Sequence, residues 1–363
     1  MNNKLIIECM GVVKGKSYGF QEYLLNLLDY MHSHREELNY KEVILVCKPS
    51  QKDFFSRYSS NFTIIPISGS ESYIGRLFQQ TLLPLRLHLH KKDTYFFPGN
   101  LSGMLKLCKH VLVIHDLLFK HRNLLHNKWM IYQRELFTGP SLRLADRVIG
   151  ISEFTAKEIC QYYPYAKRKT QFIYNDINFE KFECTPTNED DGYFLAVSAN
   201  YFHKDLVTLF QAYDNYCKKG GKRLLKLIGS INKRSASWRA YKNMSKDACN
   251  KISFMKDLSN KDMGLLYKHA SAFISTSLYE GFGMPIAEAM WFGLPVFLAD
   301  TKIHHEISMN KAVFFPKQDG EALSELMLNE SLYRRDYGSI IHARYSEQNT
   351  SAKYISLLNE MNN

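Results

Sequence analysis

The chain has 363 residues, 45% of them hydrophobic, 13% aromatic and 23% charged, a globular composition that excludes disordered and fibrous classes and is long enough for two domains. Its 47 Lys and Arg against 36 Asp and Glu leave a net charge of +11, which calls for an anionic partner such as nucleic acid, a phosphorylated metabolite or an anionic membrane. No stretch approaches the ~20 consecutive apolar residues that cross a bilayer, and the opening MNNKLIIECMG is too polar for a secretory signal.

In chain order, Leu5 to Cys9, Glu42 to Cys47, Thr63 to Pro66, Thr94 to Phe97, Val111 to Ile114 and Arg147 to Ile151 are short β-branched or aromatic runs that predict strands. Between them lie segments with apolar residues at helical spacing, such as Gln21 to His32. Alternation of this kind implies βαβ units and a parallel sheet covered on both faces. The acidic, Asn-rich stretch NDINFEKFECTPTNEDDG interrupts the rhythm and reads as a connection. A second series follows: strands over Tyr193 to Ser198, Leu224 to Ile228, Ile252 to Met255, Ala272 to Ser275, Val296 to Ala299 and Ala312 to Phe315, with helices over Lys204 to Cys217 and Lys261 to His269. The expected organisation is an α/β protein of two Rossmann-like parallel-sheet domains facing a cleft. Residues 1–175 would form the first, 176–192 a linker, 193–340 the second, and 341–363 a last helix crossing back to the first.

The charge is unevenly placed. Residues 1–170 carry 24 Lys and Arg against 14 Asp and Glu, whereas residues 171–363 carry 23 against 22. No zinc-finger spacing, basic zipper or aromatic RNA-binding signature accompanies the excess, so nucleic acid becomes a weak alternative. The seven cysteines, Cys9, Cys47, Cys108, Cys160, Cys184, Cys217 and Cys249, are scattered singly without a CxxC pair. That pattern argues for reduced thiols in a cytoplasmic setting and against a disulfide framework or zinc site.

Two segments resemble ligand loops. Gly11 to Ser17 ends in GKS but has three residues between its glycines where a P-loop has four, with Met10 where the first glycine belongs. It reads as a basic loop, in which Gly15 and Gly19 could still let a ligand approach the backbone. Ser275 to Pro295, STSLYEGFGMPIAEAMWFGLP, is more informative. A loop presents Glu280; Gly281 and Gly283 open the backbone; Pro285 starts a helix and Gly293 ends it. The N–H groups of Phe282, Gly283 and Met284, with the helix dipole, make an anion site. Glu288 lies one turn inside, so two carboxylates belong to one pocket.

The pattern E-G-F-G-M-P-x-x-E-A-M-x-x-G-x-P resembles the EX7E signature of the family 4 retaining glycosyltransferases, which have the GT-B fold. The resemblance extends to YNDINFEKF, FLAVSANYFHKDLVTLFQAY, ISFMKDLSNKDMGLLYKHASAFISTSLYEGFG, IHDLLF and ADRVIGISEFTAKEI. FFPGNLS followed by VLVIHDLLF is similar to bacterial surface-polysaccharide mannosyltransferases and related enzymes. The resemblance implies that Glu280 holds donor-sugar hydroxyls and Glu288 the ribose hydroxyls, while amides of Phe282, Gly283 and Met284 contact the sugar and diphosphate. It implies that Lys204 neutralises the diphosphate leaving group and that His115, ending the strand before Asp116, sits near the donor sugar without acting as a general base. The residue before Lys204 is commonly Arg in this family and is His203 here, expected to contact the diphosphate.

The resulting expectation is an enzyme that moves a hexose, mannose favoured, from a nucleotide diphosphate sugar to a glycan in lipopolysaccharide O-antigen or capsule synthesis. It would need no metal, and Glu280, Lys204 and His115 would carry the chemistry. Arg86, Lys91, Lys92, Lys120 and Arg122 would face a lipid-linked acceptor and the anionic inner leaflet of the plasma membrane. The alternatives are a nucleotide-sugar epimerase of the same fold and a non-enzymatic basic protein binding membrane or nucleic acid.

Overall fold

The computed structural model describes residues 3–12, 19–68, 73–125, 127–186, 190–198, 201–329 and 334–362. The chain divides into two units, one comprising Met1–Arg122, Asn127–Ile177 and Tyr345–Asn363, the other Asn178–Arg344 with Asn123–His126.

The first unit is built on strands β1 (Lys4–Glu8), β2 (Glu42–Cys47), β3 (Thr63–Pro66), β4 (Thr94–Phe97), β5 (Lys109–Ile114), β6 (Arg147–Gly150) and β7 (Thr170–Phe172). They pair in parallel in the order β3-β2-β1-β4-β5-β6-β7. Leu5, Ile6 and Ile7, and Val111 to Ile114, are wholly buried, the continuous apolar run of a strand covered on both faces. Helices Gly19–Ser33, Tyr73–Arg86, Lys128–Leu144 and Glu153–Tyr162 are the longest connections between these strands. The sequence reading omits β7, whose three residues TQF form a half-exposed edge with no apolar alternation.

Helix Glu347–Asn362 packs on helix Gly19–Ser33 and on β4. Tyr354 meets Phe96 edge-on at 5.9 Å, and the Tyr40 hydroxyl donates to the Leu358 carbonyl at 2.8 Å. Beneath this helix Asp176 is buried. Burial pushes its carboxyl up to about 7 against the hydrogen bond that the Ser351 hydroxyl donates to it.

The second unit holds β8 (Tyr193–Val197), β9 (Leu224–Ile228), β10 (Ile252–Met255), β11 (Ala272–Ser275), β12 (Val296–Ala299) and β13 (Val313–Phe315). Their order is β10-β9-β8-β11-β12-β13, again parallel. Its core joins Phe194, Leu225, Ile274 and Phe297 of the sheet to Leu209, Phe210, Tyr213, Leu323 and Met327 of the covering helices. Within the stretch expected as a linker, Phe179 and Phe182 are buried in this unit, stacked on Trp291 with ring centroids at 5.1 and 6.2 Å. Strand order reverses between β1 and β4 in one sheet and between β8 and β11 in the other, and the carboxyl ends of strands flanking such a reversal are where parallel sheets bind ligands.

Candidate active site

The loops leaving β8 and β11 are fastened to each other. The β8 loop ends in the short 3-10 turn Phe202–Lys204, after which Asp205 adopts a left-handed φ of 47° and caps helix Leu206–Lys218. Its carboxylate accepts from the Thr208 amide at 3.4 Å and the Thr208 hydroxyl at 2.6 Å. From the β11 loop the Thr276 hydroxyl donates to the Lys204 carbonyl at 2.9 Å, and the Leu278 amide donates to the His203 carbonyl at 2.7 Å. These bonds set the Lys204 ammonium 2.8 Å from Glu280 Oε1. Burial alone would raise the Glu280 carboxyl; Lys204, His304 and the Ser277 hydroxyl outweigh it and hold the group at about 2. Glu280 is therefore a carboxylate at any physiological pH.

The helix Met284–Trp291 starts directly beyond. Gly283 is its N-cap with φ 98°, and a Cβ there would lie 3.1 Å from Ile286 Cδ1 and 3.9 Å from Glu280 Oε2. A side chain would be both strained and set beside the carboxylate. Pro285 occupies the first turn, where its missing N–H costs nothing, and Phe282 and Met284 are buried. The far end turns through Gly293 at φ 76°, where a Cβ would stand 2.8 Å from the Arg335 carbonyl oxygen.

Glu288 is buried one turn inside this helix. Its Oε1 receives the Lys181 ammonium at 2.7 Å and its Oε2 the Tyr267 hydroxyl at 2.8 Å. Tyr267 lies on Phe292 with ring centroids at 5.6 Å, so the carboxylate faces an aromatic floor. His203 stacks on the exposed Tyr201 at 5.7 Å between ring centroids and 9° between planes. At the carboxyl ends of β9 and β10 a cavity of about 250 Å³ is lined by Gly229, Ser230, Trp238, Phe254, Met255 and Lys256.

In the first unit His115 follows β5. Its Nε2 donates to the Pro98 carbonyl at 2.6 Å and its ring meets Phe20 and Tyr23 edge-on at 5.3 and 5.1 Å. Burial lowers its basicity, opposed by the Pro98 bond and Asp116. Asp116 accepts from the Leu118 amide at 3.0 Å and lies 3.4 Å from Arg134. Gly19 is the first residue of its helix, while residues 13–18, with most of the GKS loop, lie outside the described residues. Arg86, Lys91 and Lys92 are exposed. Lys120 and Arg122 instead share Glu135, at 3.8 and 3.1 Å, and the Lys120 ammonium also sits 5.0 Å from the Tyr163 ring centroid. One carboxylate thus stands against two cations, and Arg122 remains exposed.

Glu280, Lys204 and Gly283 lie together, with Phe282 and Met284 adjoining. Sequence reasoning passed over Lys181, Tyr267, Asp205, Thr276 and His304. Asp205 had a signal in its D-x-x-T capping pattern; the others are fixed by contacts distant in sequence. Among the described residues no group of three or more His, Cys, Asp or Glu is arranged to hold a metal ion, and no helix is long and apolar enough to cross a membrane.

Two adjoining family models match, one described as Glycosyltransferase Family 4 over residues 19–181 and one as Glycosyl transferases group 1 over residues 178–335. The chain belongs to the family 4 glycosyltransferases. Among relatives of this glycosyltransferase, the O-antigen chain mannosyltransferase RfbU of Salmonella typhimurium is 25% identical over 193 residues. That match spans only 52% of each chain, about half the relative's length. The O-antigen chain mannosyltransferase B of Escherichia coli is 24% identical over 265 residues, covering 70% of this chain and 69% of its own. Solved structures share the architecture at low identity. The sucrose-phosphate synthase of Thermosynechococcus elongatus has a TM-score of 0.73 at 15% identity, covering 99% of both chains. WaaG, a glycosyltransferase involved in lipopolysaccharide biosynthesis, has 0.70 at 14%, covering 98% of this chain and 99% of its own. The fold is GT-B. Neither matched model describes an epimerase or a nucleic-acid-binding module.

Proposed function

We propose that this glycosyltransferase moves a hexose, with retention and without a metal, from a nucleotide diphosphate sugar to a lipid-linked glycan in O-antigen or capsule synthesis. The 2.8 Å Lys204–Glu280 pair beside the start of a helix carries the reading. Cleaving a glycosyl phosphate builds negative charge on the leaving oxygen, and an ammonium with a helix N-terminus stabilises that charge as it forms. Glu280, fully ionised, accepts hydrogen bonds from sugar hydroxyls, and Glu288 does the same for ribose in exchange for one of its present partners. The cavity around Trp238 and Phe254, at the ends of β9 and β10, suits the nucleobase. His115, with Nε2–H held by Pro98 and its basicity lowered by burial, serves as a substrate contact and not as a base. The mannosyltransferase relatives favour mannose as the sugar.

For membrane contact the support is in the first unit. Ile74, Phe78 and Leu85 are exposed on helix Tyr73–Arg86, and Trp129, Tyr132 and Leu136 on helix Lys128–Leu144. Each set recurs every three to seven residues and so shares one helix face. With the nearby Arg86, Lys91 and Lys92, such faces fit shallow insertion into the inner surface of an anionic plasma membrane by a peripheral, cytoplasmic enzyme.

The test is a panel of nucleotide sugars screened by thermal shift and then by slow donor hydrolysis with and without EDTA. One donor should stabilise the protein and be hydrolysed in either condition, and Glu280→Gln should cut that rate by roughly 10³-fold. Hydrolysis indifferent to Glu280→Gln would remove the reading.

A further inference from the structure

His304 is wholly buried in helix Lys302–Ile307, directly after β12. Its Nδ1 lies 2.7 Å from the Ala299 carbonyl oxygen, which can only accept, so Nδ1 carries a proton. Nε2 then holds a lone pair, and among the described residues this buried atom has no hydrogen-bond partner. Native structures seldom leave such an atom idle without cause. The charged and titratable groups acting on the ring are Glu280 from the β11 loop, Lys204 from the β8 loop and His305 from its own helix. Burial, Lys204 and His305 favour the neutral ring, and Glu280 with the Ala299 bond favours the charged one.

If the donor reading holds, Lys204 has two duties that conflict. It is the counter-ion of a buried carboxylate, and it must also meet the diphosphate. A buried carboxylate stripped of its cation is strongly unfavourable, so the departure of Lys204 needs compensation. We infer that His304 is the reserve counter-ion of Glu280: as the diphosphate draws the Lys204 ammonium away, His304 takes one proton from solvent at Nε2 and supplies the positive charge that steadies the carboxylate. His304 is thereby a positioning residue that acts through Glu280 and touches no substrate. Departure of Lys204 removes the cation that opposes protonation and leaves Glu280, which promotes it.

The exchange rests on the proposed donor site, and two measurements separate their fates. UDP and GDP are titrated calorimetrically at pH 7.5 in buffers of different ionisation enthalpy. Binding to the natural chain should take up to about one proton. His304→Asn, whose amide can still donate to the Ala299 carbonyl but cannot charge, should bind without that uptake. Equal uptake by both proteins, or none by the natural chain, overturns the exchange and leaves the donor site standing. Binding of neither nucleotide overturns the donor site and the exchange with it. The second measurement needs no nucleotide. The histidine ring resonance that disappears in His304→Asn, or in His304→Gln should the first variant not fold, should titrate at higher pH in Lys204→Met than in the natural chain. An unchanged titration overturns the proposal.

Discussion

Glu280 in the second unit and Asp176 in the first are both enclosed carboxyls, yet they are driven in opposite directions. Glu280, paired with Lys204 and also lowered by the nearby His304, is held at about 2; Asp176, with hydroxyl and amide donors but the Glu347 carboxylate as its charged influence, is pushed up to about 7. Among the described residues no cation pairs with Asp176. Burial disfavours charge at both places, and only a fixed cation reverses it. A buried acid that is ionised marks a place where a cation has been installed, which is what a site handling phosphates requires. A buried acid without a cation holds its proton up to about neutral pH.

The contrast can be broken most forcefully at Lys204. Lys204→Met leaves Glu280 without its cation and should cost roughly 3 to 5 kcal/mol of stability in the second unit. Adding Glu280→Gln should return most of that loss, as a double-mutant cycle by urea unfolding would show. The opposite pH slopes sharpen it. Because the folded pKa of Glu280 lies below the usual carboxylate value, its contribution is present above pH ~4.5 and fades as pH falls toward 2. Asp176, raised in the fold, contributes at low pH and loses about 1.4 kcal/mol per unit as pH climbs from roughly 4 to 7. Asp176→Asn should abolish that slope and raise stability at pH 8, measured by denaturant midpoint. Glu288 has one lysine and one phenol as its partners. Tyr267→Phe should cost about 1 kcal/mol and raise the donor KM severalfold with kcat nearly unchanged. Folding responds least to charges that water already screens. Lys91→Glu with Lys92→Glu should leave folding unaltered and weaken binding to anionic vesicles by about 2 kcal/mol at low salt, with little effect at high salt. Binding unchanged by the double charge reversal would count against a membrane role for that segment.

Much of this was legible in the residues because the physics is local. β-Branched runs of four to six residues between turn formers can be little but strands, and glycine, proline and glutamate in E-G-F-G-M-P announce a loop, a left-handed cap and a helix start. Glu280 and Gly283 were visible for that reason. Lys204 was visible through resemblance, since a lysine before an amphipathic helix is ordinarily a solvated charge. Lys181 and Tyr267 were not, because their meeting with Glu288 is made by tertiary packing across 107 and 21 residues. His304 was hidden differently: KIHHEI resembles any polar surface turn, and nothing in its spacing tells that one histidine is entombed while its neighbour reaches Asp300 and Asn310. The partner of the basic residues Lys120 and Arg122 was not legible either, since the fold brings Glu135 to both of them.

The helix Glu347–Asn362 imposes an order on assembly. The second unit runs from Asn178 to Arg344, apart from a short piece of earlier chain, and its sheet is complete before that helix has been made. The first unit, although most of it emerges earlier from the ribosome, lacks until the end the residues that accept from Tyr40 and cover Phe96 and Asp176. Removing that helix would open the flank beside Tyr23 and Phe96 to water.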